Sequence, residues 1–522
     1  MTYSGLPSRT LFRRTLPSVS WLPFMGLALA LSGAEALALD DGIGAQNRPD
    51  LAFANVAPQR IFHVSTSGSD GNPGTASQPW RTLNYAATRL RAGEAAYVHA
   101  GTYSERVSIG SSSADGTATA PIQLLGAPGE AKPIIRGGDS KTGAMLRLQR
   151  RYWVVSGFNI QAAGSQTHGV RFEGARNAVV RDTEVAGGTG PSAVVFYSGA
   201  SDIGFLNNKV HDYTWSGKDS HGMLVLPDTS RILIQGTESW GNGGDSFQCQ
   251  GTDTATGSAH PTDITLENNR FHEDRENAVD LKTCDRVTLR GNKFYGYRPT
   301  STAPQGAAVV MHYSARRILM EGNRLWNNGR GLSLGGNMIL REPVTDVIVR
   351  RNLVFDGSTS GGGSGDGLRV GTSRRVRMHH NTLAFLPVGG IKVGDGSDGP
   401  AESTEVYNNV VYATPKAMEL QLSGTTGFKS DRNLVYQAGA TALFRLSGKD
   451  TTLESWRSST GLDGTSRVTD PLFVADPRSN DFFTVVGSPV RNNAMALTIP
   501  APVLSGSVCE GAADLGFLES CN

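Results

Sequence analysis

An acidic and a basic residue stand two positions apart in the segment Val279-Asp280-Leu281-Lys282, whose other two residues are apolar. In a β-strand such a pair shares one face, with Cα atoms about 7 Å apart. A lysine amine can accept a proton, and a carboxylate can orient or neutralise a neighbouring charged group. Asp280 and Lys282 are therefore candidate catalytic residues for acid–base chemistry on a ligand that lies across the strand.

Segments with the same alternation recur along the chain. Each has apolar first and third residues, and they lie at 223–226, 247–250, 279–282, 309–312, 332–335, 368–371 and 391–394. If successive coils stack about 4.8 Å apart, the outward second and fourth residues form two rows along one face. These rows bring Gln248, Gln250 and His312 next to the acidic and basic pair. His312 is then the third candidate catalytic residue.

Basic residues continue the first row beyond this cluster, at Arg369 and Lys392, beside glycines in the second row. Small residues next to basic ones leave room for an anionic chain, so these positions are candidates for substrate binding. The full set of predicted substrate-binding residues is Gln248, Gln250, His221, Arg369 and Lys392. For His221 the alternative is a surface or corner role. For the whole cluster the alternative is an exposed, salt-bridged face.

A polar residue marks each repeat and is followed by two or three apolar residues. The marks are Asn208, Thr237, Asn269, Asn292, Asn323, Asn352, Asn381, Asn409 and Asn433, spaced 23 to 32 residues apart. The segments between them alternate like strands and show no helical period, which predicts an all-β solenoid, a parallel β-helix with one coil per repeat. We expect the asparagines to hydrogen-bond along a corner ladder and to tolerate left-handed backbone angles there.

The predicted organisation has four parts. They are an export signal at 1–38, a polar lead-in at 39–60, the β-helix at 61–500 and a tail at 501–522. The signal has basic residues, then an apolar run, then the cleavage pattern Ala36-Leu37-Ala38, which predicts a secreted or periplasmic protein. Residues 82–90 have helical spacing and predict a short helix that caps the first coil.

The four cysteines set expectations about disulfides. Cys509 and Cys521 bracket the tail and are expected to pair in an oxidising compartment. Cys249 and Cys284 fall in adjacent coils and are expected to be packed, unbridged thiols, the usual state of buried free cysteine. The sequence has no Cys-x-x-Cys pair, so a structural zinc site is not predicted.

The charge balance excludes some partners. The 49 basic and 47 acidic residues nearly cancel, so the chain has no global attraction for polyanions, and nucleic-acid binding is not predicted. Beyond the signal, no segment is apolar over enough residues to span a membrane. We expect a monomer that binds any acidic partner through a local patch.

The first segments after the lead-in resemble the opening of extracellular pectate-lyase-like β-helix proteins. Those proteins read V-S-x-x-G-S-D-x-N-x-G-T-x-x-x-P-W-x-T-L and then G-T-Y-x-E-x-V-x-I, and residues 64–83 and 101–109 follow both patterns. Near the other end, Asp470-Pro471-Leu472-Phe473 and Gly487-Ser488-Pro489 resemble the closing segment of bacterial secreted members. The resemblance implies a right-handed parallel β-helix of the polysaccharide lyase type, without selecting one activity.

Residues 280–294 resemble the catalytic coil of alginate lyases and chondroitinase B in polysaccharide lyase family six, which typically reads N-K-S-C-x-N-x-x-R-x-N-T-F. The resemblance implies that Lys282 is the Brønsted base. The next coil of that family carries L-R-H-G, whereas this chain reads Val310-Met311-His312-Tyr313. By its facing, His312 takes the position of the arginine that lies beside the substrate carboxylate.

Calcium binding is implied by a different resemblance. The two calcium-ligand glutamates of family six fall on Arg275 and Asn277, so calcium of that type is not implied. Residues 242–248 resemble the calcium-binding coil of family-nine pectate lyases, of whose acidic positions Asp245 is retained. Asp245 and Asp280 are therefore the candidate ligands for Ca²⁺, an ion that prefers oxygen ligands.

Elimination at a uronate sugar needs a base for the C5 proton, a group that neutralises the adjacent carboxylate and an acid for the departing O4. Lys282 serves as the base if its pKa is depressed, and a protonated His312 would work in that direction. His312 or Tyr313 would then protonate the leaving oxygen, and strict alternation counts against Tyr313 because it turns the tyrosine inward. The two glutamines, Arg369 or a bound Ca²⁺ would hold the carboxylate.

The predicted function is thus an exported lyase that cleaves an acidic, uronate-containing polysaccharide by β-elimination. A uronate C5-epimerase would use the same proton abstraction and stays open. A glycoside hydrolase would need two carboxylates, for which Asp245 and Asp280 are the candidates. A polysaccharide-binding or assembly scaffold without catalysis is the alternative from a different class.

Overall fold

The computed structural model describes residue 43 and residues 47–137, 143–162, 167–250, 260–336, 342–474, 476–479, 482–496 and 513–518. By its contacts the chain divides into two units, 1–38 and 39–522. The predicted export signal lies outside the described residues, and so do Cys509 and Cys521 of the predicted tail disulfide. These two features, the domain boundaries and the monomeric state stay predictions.

Three sheets run along the described coils, with 16, 14 and 14 strands, and we call them sheets 1, 2 and 3. Sheet 1 contains Arg60–Val64, Glu94–Val98, Ile122–Gly126, Arg151–Ser156, Arg176–Arg181, Ser201–Leu206, Ser230–Gln235, Thr262–Glu267, Asp285–Arg290, Arg316–Glu321, Val344–Arg350, Ser373–His379, Ala401–Glu402, Glu405–Tyr407, Thr425–Thr426 and Lys429–Asp431. Sheet 2 contains Thr102–Tyr103, Ile134–Arg136, Asn159–Gln161, Glu184–Ala186, Lys209–His211, Glu238–Trp240, Arg270–His272, Lys293–Tyr295, Arg324–Trp326, Leu353–Phe355, Thr382–Ala384, Val410–Tyr412, Leu434–Tyr436 and Arg467–Val468. Sheet 3 contains Val107–Ile109, Gly143–Leu148, Thr167–Glu173, Ser192–Tyr197, His221–Val225, Phe247–Cys249, Val279–Leu281, Ala307–Met311, Arg330–Leu334, Asp366–Val370, Gly389–Val393, Met418–Leu420, Phe444–Leu446 and Lys449–Thr451.

The order of strands within each sheet confirms the predicted all-β, parallel β-helix. Each coil adds one strand to each sheet, and neighbouring strands pair in parallel. Antiparallel pairing joins Phe444–Leu446 to Lys449–Thr451 at the end of sheet 3, and an isolated antiparallel bridge joins Phe473 to Thr484. A sheet of this kind places residues from successive coils side by side, so it can build a site from distant parts of the sequence.

Alternation fixes which side chains point inward. In sheet 3, Val279 and Leu281 are fully buried and pair with buried residues of both neighbouring coils. Burying an aliphatic side chain of this size stabilises the fold by about 1.5–3 kcal/mol. A register shift by one residue would exchange these side chains for Asp280, so the core determines that Asp280 faces outward.

The asparagines form the predicted ladder. Asn323 Oδ1 accepts hydrogen bonds from the backbone N–H and the side-chain amide of Asn292 on the preceding coil, both at 2.9 Å. The Asn292 amide also donates to the carbonyl of Leu266 at 2.9 Å. The hydrogen bond from a backbone N–H to the side-chain oxygen of the next coil repeats without a break from Thr237 to Ser466. These side chains satisfy buried backbone groups at a corner, which is the structural role expected for them.

The left-handed backbone angle lies one residue earlier than expected. The residue that precedes each ladder position, rather than the asparagine itself, has a positive φ, as in Gly291 (65°), Gly322 (66°) and Arg351 (50°). This residue turns the chain out of sheet 1, so that the asparagine can direct its side chain into the stack. Asparagine is favoured at the ladder position for its amide, and the residue before it adopts the left-handed backbone angle.

Helices occur at both ends of the coil stack. The predicted cap is the helix Leu83–Arg89, which buries Leu83, Ala86 and Ala87, and the side chain of Thr82 accepts a hydrogen bond at its N-terminus. A second helix, Leu453–Thr460, was not predicted, and it buries Trp456 against the last coils. Three short 3₁₀ helices span Ala52–Asn55, Ser360–Gly362 and Leu422–Gly424. No helix in the described ranges is long and apolar enough to span a membrane.

Cys249 and Cys284 form a disulfide bond, so the prediction of two free thiols is wrong. Their Cα atoms are 6.2 Å apart on neighbouring coils, and both side chains are fully buried. Cys249 points inward from the end of its strand, and Cys284 lies in the corner that follows the next strand, where it faces Cys249. The bond joins the two coils that carry Gln248 and Asp280.

Candidate active site

The register of sheet 3 confirms the predicted first outward row. Asp280 pairs with Gln248 on one side and with Val310 on the other. The row continues through Ser333 to Arg369 and Lys392. The second row follows from the backbone hydrogen bonds, since the N–H groups of Lys282 and His312 donate to carbonyls of the preceding coils at 3.0 and 2.9 Å.

Asp280 lies between the two basic residues of this face. Its Oδ1 is 2.8 Å from His312 Nε2, and its Oδ2 is 3.5 Å from Lys282 Nζ. Lys282 Nζ also donates a hydrogen bond of 3.1 Å to Gln248 Oε1. The Gln248 amide in turn donates to Gln250 Oε1 at 3.0 Å. The five residues thus form one connected chain of contacts across three coils.

The charges in this cluster stabilise one another. Burial raises the pKa of Asp280, but the opposing effects of His312 and Lys282 are larger, and its pKa is lowered below the ordinary value. Burial lowers the pKa of Lys282, but the carboxylates of Asp280 and Asp245 outweigh it, and the pKa of this lysine is raised. The condition under which Lys282 would act as the base, a depressed pKa, is therefore not met. The reason is that carboxylates, rather than His312, dominate its surroundings.

Tyr313 also differs from its predicted place. Strict alternation predicts that it faces inward, but the tyrosine is partly exposed. Its backbone is left-handed, with φ of 54°, and this turns the side chain away from the core. The ring stacks on His312 with centroids 4.2 Å apart. It therefore restricts the orientation of the imidazole.

His221, the first residue of the strand His221–Val225, contacts Asp245 in the corner before the next strand of sheet 3. His221 Nδ1 is 3.2 Å from Asp245 Oδ2, and only 7% of the histidine is exposed. Burial lowers the pKa of His221, but Asp245 and Glu276 outweigh it and the pKa is raised. His221 is therefore a buried residue of a strand rather than the surface or corner histidine of the alternative, and its role in substrate binding stays a prediction.

The carboxylates predicted to bind calcium contact different partners. Asp280 is held by His312 and Lys282, whereas the donor atoms of His221, Asp245 and Glu276 all lie within 4.8 Å of one another. Asp245 Oδ1 accepts from the side chain of Asn277 at 2.8 Å. Ca²⁺ takes six to eight oxygen ligands, and this group offers two carboxylates and a ring nitrogen. Calcium at Asp245 and Asp280 does not fit this arrangement.

A buried network of polar side chains lies next to the corner that contains Asp245. Asp274 is buried, and burial raises its pKa to about 7 against the hydrogen bonds that it accepts from Ser246, Asn242 and Ser239. Tyr297 adds a 2.6 Å bond to the Ser246 hydroxyl. Ser246 is the neighbour of Asp245, so the network fixes the backbone next to the site.

Arg369 and Lys392 are further from the cluster and are paired. Arg369 Nε lies 2.8 Å from Asp395, and Lys392 Nζ lies 3.4 Å from Asp395 and 3.5 Å from Glu419. The two positive charges predicted to bind substrate are thus balanced by two carboxylates. The sequence did not indicate this pairing, because Asp395 lies in a loop outside the aligned rows.

The comparisons with known proteins agree with this architecture. One family model, described as "Pel9A-like, right handed beta helix region", matches residues 62–249, and a second, described as "Right handed beta helix region", matches residues 255–411. The chain is a right-handed β-helix protein. The predicted fold and the resemblance to pectate-lyase-like β-helices are confirmed. A comparison with curated proteins finds no match to this sequence.

Solved structures of similar shape include enzymes with different activities. The β-helix is similar to the PL6 family alginate lyase AlyGC, with 17% identity and a TM-score of 0.50, over 78% of this chain and 57% of that one. It is also similar to pectate lyase Pel9A, with 16% identity and a TM-score of 0.45, over 91% of this chain and all of that one. A third is the Azotobacter vinelandii mannuronan C-5 epimerase AlgE6 A-module, with 16% identity and a TM-score of 0.38, over 66% of this chain and 93% of that one.

Two residues of the β-helix beside the site were missed by the sequence reasoning. Glu276 joins His221 and Asp245, and Asn277 binds Asp245 through both its backbone and its side chain. Both precede the strand Val279–Leu281, where the alternation that defined the rows has not begun. The available signal was their position, since they stand in the corner equivalent to that of Asp245 one coil earlier.

Proposed function

We propose that this β-helix protein is an exported lyase that cleaves a uronate-containing polysaccharide by β-elimination. The observation that carries the proposal is the contact of Asp280 with both His312 and Lys282 on one outward face. A base, a carboxylate that orients it and a cation for the developing negative charge are what the elimination needs in one place.

Lys282 acts in this proposal as a cation. Its raised pKa keeps the amine protonated at neutral pH. A charged ammonium suits the uronate carboxylate and stabilises the extra negative charge that develops when the C5 proton leaves. Gln248 holds the ammonium over the face through its 3.1 Å hydrogen bond. The resemblance to family six implies instead that the same residue is the base.

His312 is the general base in this proposal. Imidazole is the commonest base in enzymes that work near neutral pH. The Asp280 carboxylate lies against Nε2 and favours a proton on that nitrogen, which leaves Nδ1 to accept the C5 proton. The electrons of the C5–H bond form the C4=C5 double bond, the C4–O4 bond breaks, and the leaving oxygen takes a proton from water.

Export is supported by chemistry within the described coils. The Cys249–Cys284 disulfide is of the structural kind that persists in oxidising compartments. The predicted signal at 1–38 is consistent with the same destination. The proposed site of action is therefore outside the cytoplasm, where acidic polysaccharides are accessible.

Product analysis tests the reaction class. The protein is incubated with alginate, polygalacturonate and chondroitin sulfate, and the ultraviolet absorbance of unsaturated uronate is followed. We expect absorbance to rise with at least one of them. New reducing ends without absorbance indicate a hydrolase, altered uronate composition without cleavage indicates an epimerase, and binding without any product indicates a scaffold. Each of these three results contradicts the lyase.

A further inference from the structure

The outward rows of sheet 3 extend four coils before the proposed catalytic cluster and end in a group of arginines. The first row runs from Asp280 back through Gln248, Leu224 and Val195 to Arg171, and one coil further to Arg147. At about 4.8 Å per coil, Arg171 lies roughly 19 Å from Asp280 along the same face. The part of the row from Val195 back to Arg147 lies outside the segments aligned from the sequence.

Arg106 joins these two residues, and we call the three the arginine cluster. Together with Ser108 and Gly143 they line a surface cavity of about 410 Å³, a volume in the range of ligand sites. Gly143 closes one side, and a Cβ added there would lie 3.4 Å from the Arg106 guanidinium. Small residues on the floor therefore leave the guanidinium groups accessible in the cavity.

Arg147 and Arg171 share one carboxylate, that of Glu173. No acidic residue is among the described residues that line the cavity, and Glu173 contacts the cluster from the second row. Glu173 accepts two hydrogen bonds from Arg147, at 2.6 and 2.8 Å, and lies 3.4 Å from Arg171. The two guanidinium groups of Arg147 and Arg171 offer more donors than this one carboxylate can accept. On the other side of Asp280, by contrast, Arg369 is paired with a carboxylate of its own, that of Asp395.

The arginines are held in place before any ligand arrives. Arg147 is fixed by Glu173, Arg171 stacks over the Tyr197 ring at 4.6 Å, and Arg106 donates to the Thr167 hydroxyl at 3.3 Å. A guanidinium that is already oriented loses less entropy when it binds a carboxylate or sulfate in its planar fork. The cluster is thus organised as an anion site.

The surface between the arginine cluster and the catalytic cluster is uncharged. The first row holds Val195 and Leu224 there, and the second row holds Tyr197 and Leu226. Val195 and Leu224 are only 3% and 9% exposed, so the apolar surface available to the face of a sugar ring is that of the partly exposed Tyr197 and Leu226. A polysaccharide could therefore lie along the rows, with its acidic groups at the two charged ends and ring faces between them.

We propose that the arginine cluster is a distal subsite for a carboxylate or sulfate of the same acidic polysaccharide, bound about four coils from the bond that is cleaved. This inference rests on the proposed function and adds to it. The substrate extends from the catalytic cluster toward the arginine cluster in the N-terminal coils. The enzyme selects long polyanionic chains and cuts within them. Chains too short to span roughly 19 Å reach the catalytic cluster without touching the arginines.

Binding to inactive protein tests the subsite independently of catalysis. The reference is the full chain with His312→Gln, and the probes are alginate, polygalacturonate and chondroitin sulfate in a titration at low and high salt. Adding Arg147→Gln and Arg171→Gln should weaken binding of the preferred polymer about 10- to 100-fold, because charge-assisted hydrogen bonds are lost. The double substitution should also reduce the dependence of polymer affinity on salt concentration. Arg445→Gln, in the same row beyond Lys392, is the matched control and should leave affinity unchanged.

Kinetics separate the subsite from the reaction. In the active protein, the Arg147→Gln/Arg171→Gln variant should raise KM for the polymer with little change in kcat, and leave cleavage of short oligosaccharides unchanged. Equal polymer affinity in the variant and the reference overturns the subsite even if the lyase is active. Weakened polymer binding in the variant supports the subsite even if no cleavage product forms. Failure of the reference to bind any of the three polymers also overturns it.

Discussion

Asp280 Oδ1 lies 2.8 Å from His312 Nε2, and the two residues belong to neighbouring coils. Asp280 pairs with Val310 in the sheet, and His312 reaches back from the position directly after that strand, Ala307–Met311. The contact depends on parallel stacking and would not exist in either coil alone. It links a buried carboxylate, whose pKa the neighbouring cations hold low, to the group that we propose removes the proton.

Replacing Asp280 tests that link. Asp280→Asn keeps the shape of the side chain but removes the negative charge that orients and stabilises a protonated His312. We expect kcat to fall about 100-fold or more, the range of general acid–base catalysis. Ser333→Ala, two coils further along the same row, is the control and should change kcat little. The measurement is steady-state kinetics with folding verified by circular dichroism. Unchanged kcat in Asp280→Asn would remove Asp280 from the mechanism.

Two substitutions of Lys282 distinguish a cation from a base. Lys282→Ala removes the charge and should lower kcat about 100- to 1,000-fold, as for the loss of one electrostatic stabiliser. Lys282→Arg keeps the charge, and arginine cannot serve as a base at neutral pH because it stays protonated. We expect Lys282→Arg to keep substantially more activity than Lys282→Ala. Equal inactivity of the two variants would instead favour lysine as the base.

The acid stability of the protein should depend on two buried histidines. Burial, followed by the charges of Arg351 and Arg350, lowers the pKa of His380 to about 3, and burial with His380 lowers the pKa of His379 well below its usual value. Both rings are neutral in the fold, whereas the unfolded chain binds protons near pH 6.5. Their stabilising effect is complete above pH 6.5 and is lost as the pH falls below it, by about 1.4 kcal/mol per pH unit for each histidine.

Urea unfolding at pH 7.5 and pH 5 measures this effect. The free energy of unfolding should fall between the two pH values, and it should fall less in His380→Gln, which has no group to protonate. The comparison is made between the pH differences of the two proteins, so a constant loss from the substitution itself cancels. The same pH difference in both proteins would show that His380 does not titrate on unfolding.

The disulfide should be a large contributor to stability. On the chain-entropy account, a bond between cysteines 35 residues apart contributes about 4 kcal/mol. Cys249→Ala/Cys284→Ala should lower the midpoint of urea unfolding, and the same loss should appear in the unmodified protein under strong reductant. Mass spectrometry after thiol labelling measures the bond directly. Labelling of both cysteines in the unreduced, unfolded protein would contradict the disulfide.

The rows of sheet 3 could be predicted because their cause is local. Alternating Val279, Leu281 and their equivalents can be buried in only one register, so the outward positions of Gln248, Asp280 and Lys282 follow from the sequence alone. The asparagine ladder was predictable for the same reason, since its spacing equals one coil. Extending the alternation two coils upstream of residue 223 would also have found Arg171.

The remaining features depend on relations between coils that spacing does not encode. The pKa of Lys282 is set by two carboxylates, one of them in a corner whose geometry no alternation predicts. The Cys249–Cys284 bond needs a corner residue to face a strand residue of the neighbouring coil. The pairing of Arg369 with Asp395 depends on the path of a loop. In each case the missing information is the position of a corner or loop, where side chains do not alternate.

The most direct measurement of the central claim is the ultraviolet absorbance of unsaturated uronate formed by the wild-type protein and by His312→Gln. Alginate, polygalacturonate and chondroitin sulfate are the substrates, and polymer binding is measured in parallel to verify that both proteins are folded. We predict that the wild-type protein generates the absorbance with at least one polymer, and that His312→Gln binds that polymer but forms product at least about 100-fold more slowly. Absorbance at the wild-type rate from His312→Gln would contradict the proposed base, and absence of the absorbance from both proteins would contradict the lyase.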